Sequence, residues 1–182
     1  QFYQHSMNSD EGLETRSYIA GRGLSDDIIK DFRLGYAPKA GLRNVLHQHA
    51  IGDELINSVG LIGVSERDGS LYDYFRNRVM FPIENRQGQV IAFGARAFGD
   101  TKPKYLNSPE GPAFSKKAVL YGWRQARERV RRTLPLLIVE GYMDVIAISG
   151  SGVAGALAPL GTALTEEQIQ LVWKLHDEPV LC

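Results

Sequence analysis

The apolar residues of this chain recur at helical spacing in its first third, at strand spacing in its middle, and in alternating strand and helix blocks in its last quarter. Residues 10–20 read as a helix capped by Ser9 or Asp10 and stopped by Gly21 and Gly23. A second helix is expected from Ser25 through Asp31 or Phe32, with Asp26 and Asp27 in its first turn and Gly35 closing it. Both look amphipathic. Short helices follow over 42–49 and 53–59, the first with Leu42, Val45 and Leu46 on one side. His47 and His49 stand two apart, so on a helix they face differently and make a poor metal pair.

From Leu61 the period is that of strands: 61–64, a turn at Arg67-Asp68-Gly69, then 71–75. A hairpin comes next, in which Val79, Phe81 and Ile83 alternate, residues 86–89 turn, and 90–93 return. The period of two puts Arg76 and Arg78 on one strand face, and Arg96 ends the returning strand. The hairpin is therefore expected to present several guanidiniums together, a group suited to bidentate phosphate contact, although plain strand-end arginines would read the same way. Residues 102–104 look extended, and Asn107-Ser108-Pro109 with Gly111-Pro112 make an irregular loop whose lysines, Lys104, Lys116 and Lys117, suit phosphates. Residues 123–132 read as a basic helix with Arg124, Arg127 and Arg131 along one solvated side that could face DNA.

After Pro135 a βαβ pattern begins: strand 136–139, helix 142–149, strand 152–156, helix 165–174 with Thr165 and Gln168 as a capping box, and strand 179–182. The first strand is apolar throughout and reads as buried on both faces. It ends in Glu140, with Gly141 allowing a tight turn into the helix, so the acid stands at the sheet edge where open α/β sheets place ligands. Asp144 follows four residues on, about one helical turn, and its carboxylate could point back to the same mouth. Two acids there could hold Mg²⁺ or Mn²⁺; equally, they suit the start of a helix, where negative charge is favoured. Gly161-Thr162 follows the second strand at the same edge.

Composition narrows the reading further. Lys plus Arg and Asp plus Glu each number 21, so net charge is silent about partners, but residues 71–133 hold 13 basic and 5 acidic side chains, net +8, leaving −8 elsewhere. Such segregation gives a neutral chain a basic surface. The single cysteine, Cys182, excludes an internal disulfide or a cysteine zinc site and fits a reducing cytoplasm. No stretch has the length of a membrane span or the layout of a signal peptide, so no membrane role is expected.

The segment Val139-Glu140-Gly141-Tyr142-Met143-Asp144-Val145 resembles the glutamate motif of the TOPRIM domain in bacterial replicative DNA primases of the DnaG type. The resemblance extends through residues 18–25, 34–38, 76–83, 93–96, 103–110, 114–116, 120–122 and 160–163, in the family's order, and covers most of the chain from Tyr18. It implies an α/β (α+β) fold: a helical and antiparallel-strand basic subdomain over 1–133, then the first part of a parallel TOPRIM-like sheet over 134–182. It implies catalytic Glu140 and Asp144 with a metal at Glu140. Arg22, Arg76, Arg78, Arg96, Lys104 and Lys116 match residues of the family's nucleic-acid and nucleotide surface.

The implied activity is that of a metal-dependent nucleotidyltransferase and DNA-directed RNA polymerase of the primosome, building RNA primers from ribonucleoside triphosphates on a single-stranded DNA template and holding an RNA–DNA hybrid. The family's Asp-x-Asp motif would begin where this sequence stops, so the chain is expected to hold metal weakly and to be inactive alone. The resemblance places zinc, and contacts to the replicative helicase and single-stranded DNA-binding protein, in regions outside this chain, and implies a monomer. Two other readings remain: another TOPRIM enzyme, a nuclease or topoisomerase, which the basic motifs ahead of Glu140 do not support, and a non-enzymatic single-stranded DNA-binding module that stacks bases on Tyr72, Tyr74 and Tyr105.

Overall fold

The computed structural model of the chain describes residues 1–131 and 133–182, so Arg132, the expected last residue of the basic helix, lies outside the described residues. In chain order the elements are α1 (Phe2–Asn8), a 3-10 turn (Asp10–Gly12), α2 (Leu13–Gly21), α3 (Asp26–Asp31), β1 (Gly35–Ala37), α4 (Leu42–Gln48), α5 (Asp53–Ser58), β2 (Ile62–Val64), β3 (Leu71–Asp73), β4 (Arg78–Glu84), β5 (Val90–Ala97) and β6 (Tyr105–Asn107). They continue with a 3-10 turn (Lys116–Ala118), α6 (Trp123–Val130), β7 (Leu136–Ile138), α7 (Tyr142–Ser151), β8 (Gly155–Leu157), α8 (Glu166–Trp173) and β9 (Val180–Leu181). The strands form a four-stranded sheet in the order β1-β4-β5-β6, a β2-β3 ribbon, and a parallel sheet in the order β8-β7-β9. The mixed α/β class expected from the sequence is the one observed. No helix among the described residues is long and apolar enough to cross a membrane.

The chain gathers into two compact units, one of residues 1–23, 33–81 and 92–113, the other of 24–32, 82–91 and 114–182. They interleave along the sequence, whereas the 1–133 and 134–182 division is a cut in chain order.

In the first unit, Tyr3, Ala37, Leu42, Phe75, Met80 and Ala95 form the core. Three features here were not foreseen. Helix α1 lacks a capping residue, which hid it in the sequence; it is joined to α2 by Arg16, which donates to the Met7 and Ser9 carbonyls. Strand β1 begins at Gly35, which was expected to close a helix. A Cβ there would lie 2.7 Å from Tyr3, so the glycine permits a close approach of α1 to β1, while Arg33 takes the left-handed conformation (φ 52°) after α3. Strand β6 occupies the expected extended chain and loop, pairing Arg96 with Tyr105 and Gly94 with Asn107. Amphipathicity also fails for α2, which buries only Thr15 and Ile19.

The Asp73 carboxylate accepts from the N–H groups of Leu42 and Arg43, satisfying the start of α4. Arg43 in turn grips Asp53 at 2.7 and 2.6 Å, and His47 reaches the same carboxylate at 2.8 Å, a role the sequence did not suggest for that histidine.

In the second unit, Leu136 and Ile138 of β7, Leu157 of β8, Trp123 and Ala126 of α6, and Val172 of α8 make one apolar cluster. Strand β8 starts three residues later than expected, because α7 runs to Ser151 before Gly152 closes it in the left-handed conformation. Gly122 marks the tightest contact of this unit. It has φ +84°, and a Cβ on it would lie 2.5 Å from Val145 Cγ1 and 2.8 Å from the Ala156 carbonyl oxygen.

Two predictions follow from this packing. Gly122→Ala combines a left-handed backbone with overpacking and should cost about 2–4 kcal/mol, seen as a lower urea midpoint at unchanged slope. Asp53 is held well below the usual carboxylate range first by its hydrogen bond from Arg43, with His47 adding and partial desolvation opposing. A depressed carboxylate stabilises the folded chain above its unfolded value and loses that contribution as pH falls through the folded one. Thermal midpoints of the parent chain should therefore drop more steeply below about pH 4 than those of Asp53→Asn, with the two curves converging in acid.

Candidate functional site

The sequence singled out five cationic residues that fall in the first unit, and their surroundings differ. Arg22, just past α2, is exposed, and its guanidinium carbon lies 5.4 Å from the centre of the Tyr18 ring. Arg96 on β5 reaches the same ring at 4.5 Å and the Tyr105 ring at 6.0 Å. Arg96 is only 9 % exposed; its Nη1 donates to the Ala97 carbonyl at 3.2 Å and its Nε has no partner. Lys104 is exposed beside Tyr105 in the segment that leads into β6.

Arg76 and Arg78 do not share a strand face. Strand β4 begins at Arg78, and Asn77 stands in the left-handed region (φ 51°), so the period of two does not reach back to Arg76. Arg76 is exposed over the Tyr72 ring at 4.4 Å, whereas Arg78 is buried and donates to the Pro103 carbonyl at 2.7 Å. Burial pushes the Arg78 guanidinium down from its ordinary value, and the charge on Arg76 acts in the same direction. Arg78 thus anchors the Pro103-Lys104 segment. A second anchor is Ser108, whose N–H donates to the Phe93 carbonyl and whose Oγ accepts from the Phe93 N–H.

The second unit holds the acids. Strand β7 is the middle strand of its sheet, and its ladder continues past Ile138 through the Val139 N–H to the Leu157 carbonyl and the Cys182 N–H to the Ile138 carbonyl. Val139 is buried and Glu140 exposed, so the change from apolar to charged coincides with the end of the buried strand. Asp144, also exposed, is the third residue of α7, and its Oδ2 accepts from the Gly141 N–H at 3.2 Å. Its carboxylate therefore turns back toward the helix start, as the spacing suggested, and one oxygen serves there as a cap. Among the described residues no three His, Cys, Asp or Glu side chains converge as a metal cage.

Lys116 lies on the 3-10 turn that α8 holds in place. The buried Gln168 amide donates to the Lys116 and Val119 carbonyls, each at 2.8 Å, and Thr165 Oγ1 donates to the Lys117 carbonyl at 2.8 Å. The capping box read from the sequence thus has a further use: it fixes a basic loop.

The basic face of α6 is not the free surface expected. Arg124 is half-buried between Asp31 (2.9 Å) and Glu84 (3.1 Å) and also donates to the Asp31 carbonyl; Arg129 donates to the Ser149 carbonyl at 2.5 Å. Both tie α6 to its neighbours, and only Arg131 of the expected row is exposed.

The Toprim domain model matches residues 135–182, the portion that holds the three-stranded parallel sheet with an acid following its central strand, and this puts that portion in the Toprim class. The model for the DNA primase catalytic core, N-terminal domain, matches residues 2–127, and the chain belongs to that family. The resemblance drawn from the motifs is thereby established.

The curated DNA primases of Halalkalibacterium halodurans and Pseudomonas aeruginosa are 43% and 44% identical to this chain, covering 100% of it. The chain spans only 31% and 28% of their lengths. A crystal structure of a DNA primase domain from Pseudomonas aeruginosa superposes with a TM-score of 0.88 at 44% identity, covering 100% of this chain and 57% of that one. A DnaG primase catalytic domain bound to ssDNA gives 0.86 at 39%, covering 100% and 57%. The RNA polymerase domain of Mycobacterium tuberculosis primase, in complex with a double-stranded DNA oligomer with a 6-nucleotide overhang, gives 0.87 at 30%, covering 96% and 55%.

Gln168→Leu should test how the Lys116 loop is held. It leaves two carbonyls and the Thr165 N–H without their partner and is expected to cost about 2–4 kcal/mol. Backbone amide exchange should rise in residues 116–120 before it rises in β7.

Proposed function

We infer that this chain forms part of a primase catalytic core that joins ribonucleotides into short primers on a single-stranded DNA template. The observation that carries the reading is Glu140, an exposed carboxylate at the carboxyl end of the central parallel strand, with Asp144 turned back toward the same turn. Oxygen donors of this kind fit a hard divalent cation such as Mg²⁺, which is held by one or two carboxylates, water and substrate phosphates rather than by a full protein cage. When bound, such an ion lowers the charge barrier to attack of a 3′-hydroxyl on an α-phosphate as pyrophosphate leaves.

The chain's own residues divide the remaining work. Glu140 and Asp144 would supply the cation's protein ligands, and the hydrogen bond from Gly141 orients Asp144. Arg22, Arg76, Arg96 and Lys104 offer positive charge to template or triphosphate, while Arg78 holds the segment bearing Lys104. Lys116 adds a cation on a loop fixed by Gln168. The basic residues give electrostatic attraction without reading sequence, which suits a template of any sequence. The partners in this reading are single-stranded DNA, ribonucleoside triphosphates and the RNA–DNA hybrid they form, in the bacterial cytosol.

Glu140→Gln, introduced into the full-length protein that carries this chain, should reduce primer synthesis by about a hundredfold or more while leaving single-stranded DNA affinity within about twofold. Primer yield is read from labelled ribonucleotide incorporation and affinity from fluorescence anisotropy. Unchanged primer synthesis would remove Glu140 from the chemistry, and Mg²⁺-dependent cleavage of DNA in place of synthesis would favour a nuclease.

A further inference from the structure

Arg96 is an odd residue to bury. It is nine-tenths hidden, no carboxylate among the described residues pairs with it, and its Nε–H has no acceptor. An isolated buried charge is costly unless something compensates it, and here the fold supplies one backbone carbonyl, that of Ala97 at 3.2 Å, and two aromatic rings, Tyr18 at 4.5 Å and Tyr105 at 6.0 Å. Tyr18 also carries Arg22 at 5.4 Å. One ring therefore carries two guanidiniums.

The ring is itself fixed. Phe98 meets Tyr18 edge-on with centroids 6.2 Å apart, and Tyr36 contacts Phe98 at 6.3 Å. The Tyr18 hydroxyl is buried without a hydrogen-bond partner, so the polar end of the side chain explains nothing of its place, and the ring face is what the two arginines touch. A carboxylate at this position would neutralise the cations, whereas a ring quadrupole attracts them and leaves their net charge intact. Two guanidiniums held on one ring, with no carboxylate among the described residues pairing with either, suit phosphate oxygens.

We propose that Tyr18 is a positioning residue whose ring holds Arg22 and Arg96 as a two-guanidinium clamp for phosphate groups. This rests on the primase reading, in which those phosphates belong to the template backbone or to the incoming triphosphate.

The test uses the full-length protein that carries this chain, with Tyr18→Leu, Tyr18→Phe, and ring-fluorinated phenylalanines at position 18, which keep the ring's shape while draining its face of negative charge. Binding of a labelled oligothymidylate and of a labelled ribonucleoside triphosphate is followed by anisotropy across a salt series. Tyr18→Phe should bind within about twofold of the parent, and Tyr18→Leu should bind about threefold to thirtyfold more weakly. Affinity should fall in step with fluorination. If the backbone is the ligand, the salt slope for oligothymidylate should shrink by about 0.7 to 1.4, the equivalent of one or two phosphates; if the triphosphate is, that arm alone should weaken. Should Tyr18→Leu fail to fold by circular dichroism, the fluorinated series decides. Affinity and slope unchanged on both arms across that series, with Arg22→Ala still impaired, would overturn the clamp and leave the primase reading standing. A parent chain that binds neither probe in a salt-dependent way would overturn both.

Discussion

A strand hydrogen-bonded along both edges and packed among apolar side chains has no room for charge. Strand β7 obeys this through Val139: it pairs in parallel with β8 and β9, and its Leu136 and Ile138 join the apolar cluster of α6, β8 and α8. The first acid can therefore appear only where the pairing ends, and Glu140 is the next residue. Its exposure and its place beside the start of α7 follow from the same constraint, since the carboxylate would otherwise lose its hydration without gaining a partner. The chemistry proposed for this edge depends on that strand being buried more than on any property of the glutamate itself.

Holding the strand buried requires close approaches that are paid for elsewhere in the unit. Gly122 lets α6 begin against Val145 and the Ala156 carbonyl, and the Tyr121 and Ala158 backbones exchange hydrogen bonds immediately before it. The Tyr121 ring then meets Tyr142 edge-on at 4.7 Å and stacks on Phe32 at 5.9 Å. Gln168 closes the other side by satisfying the carbonyls of Lys116 and Val119. The motif residues Leu120-Tyr121-Gly122 thus act through packing, and Lys116 owes its fixed position to an amide on a helix that begins 50 residues later.

Much of this was legible in advance where a signal was local. The apolar run into Glu140, the Thr165 capping box and the hairpin at residues 79–93 each follow from neighbouring residues in the chain, and each is present. What was missed depended on contacts distant in sequence. Gly35 reads as a helix stop until Tyr3 is seen against it; β6 reads as a loop until β5 supplies its partner; Arg76 and Arg78 read as one face until Asn77 turns the backbone between them. Of the arginines of α6, Arg124 reads as solvated because Asp31 and Glu84, its partners, lie 93 and 40 residues away in the sequence.

Those arginines show how one side chain serves two purposes. Arg124 and Arg43 are met by carboxylates, Asp31 and Glu84 for the first and Asp53 for the second, so their charge is spent on holding elements together. Arg22, Arg76 and Arg96 rest on tyrosine rings, and no carboxylate among the described residues pairs with them. A ring steadies a guanidinium and supplies no negative charge to cancel it, so the second set keeps its attraction for phosphate while losing much of its conformational freedom. The excess of basic residues over 71–133 is thus a poor guide to binding by itself, since it counts Arg124 and Arg96 alike. The partner of each guanidinium, a carboxylate or carbonyl on one hand and a ring on the other, is what separates a cation that builds the fold from one proposed to meet a ligand.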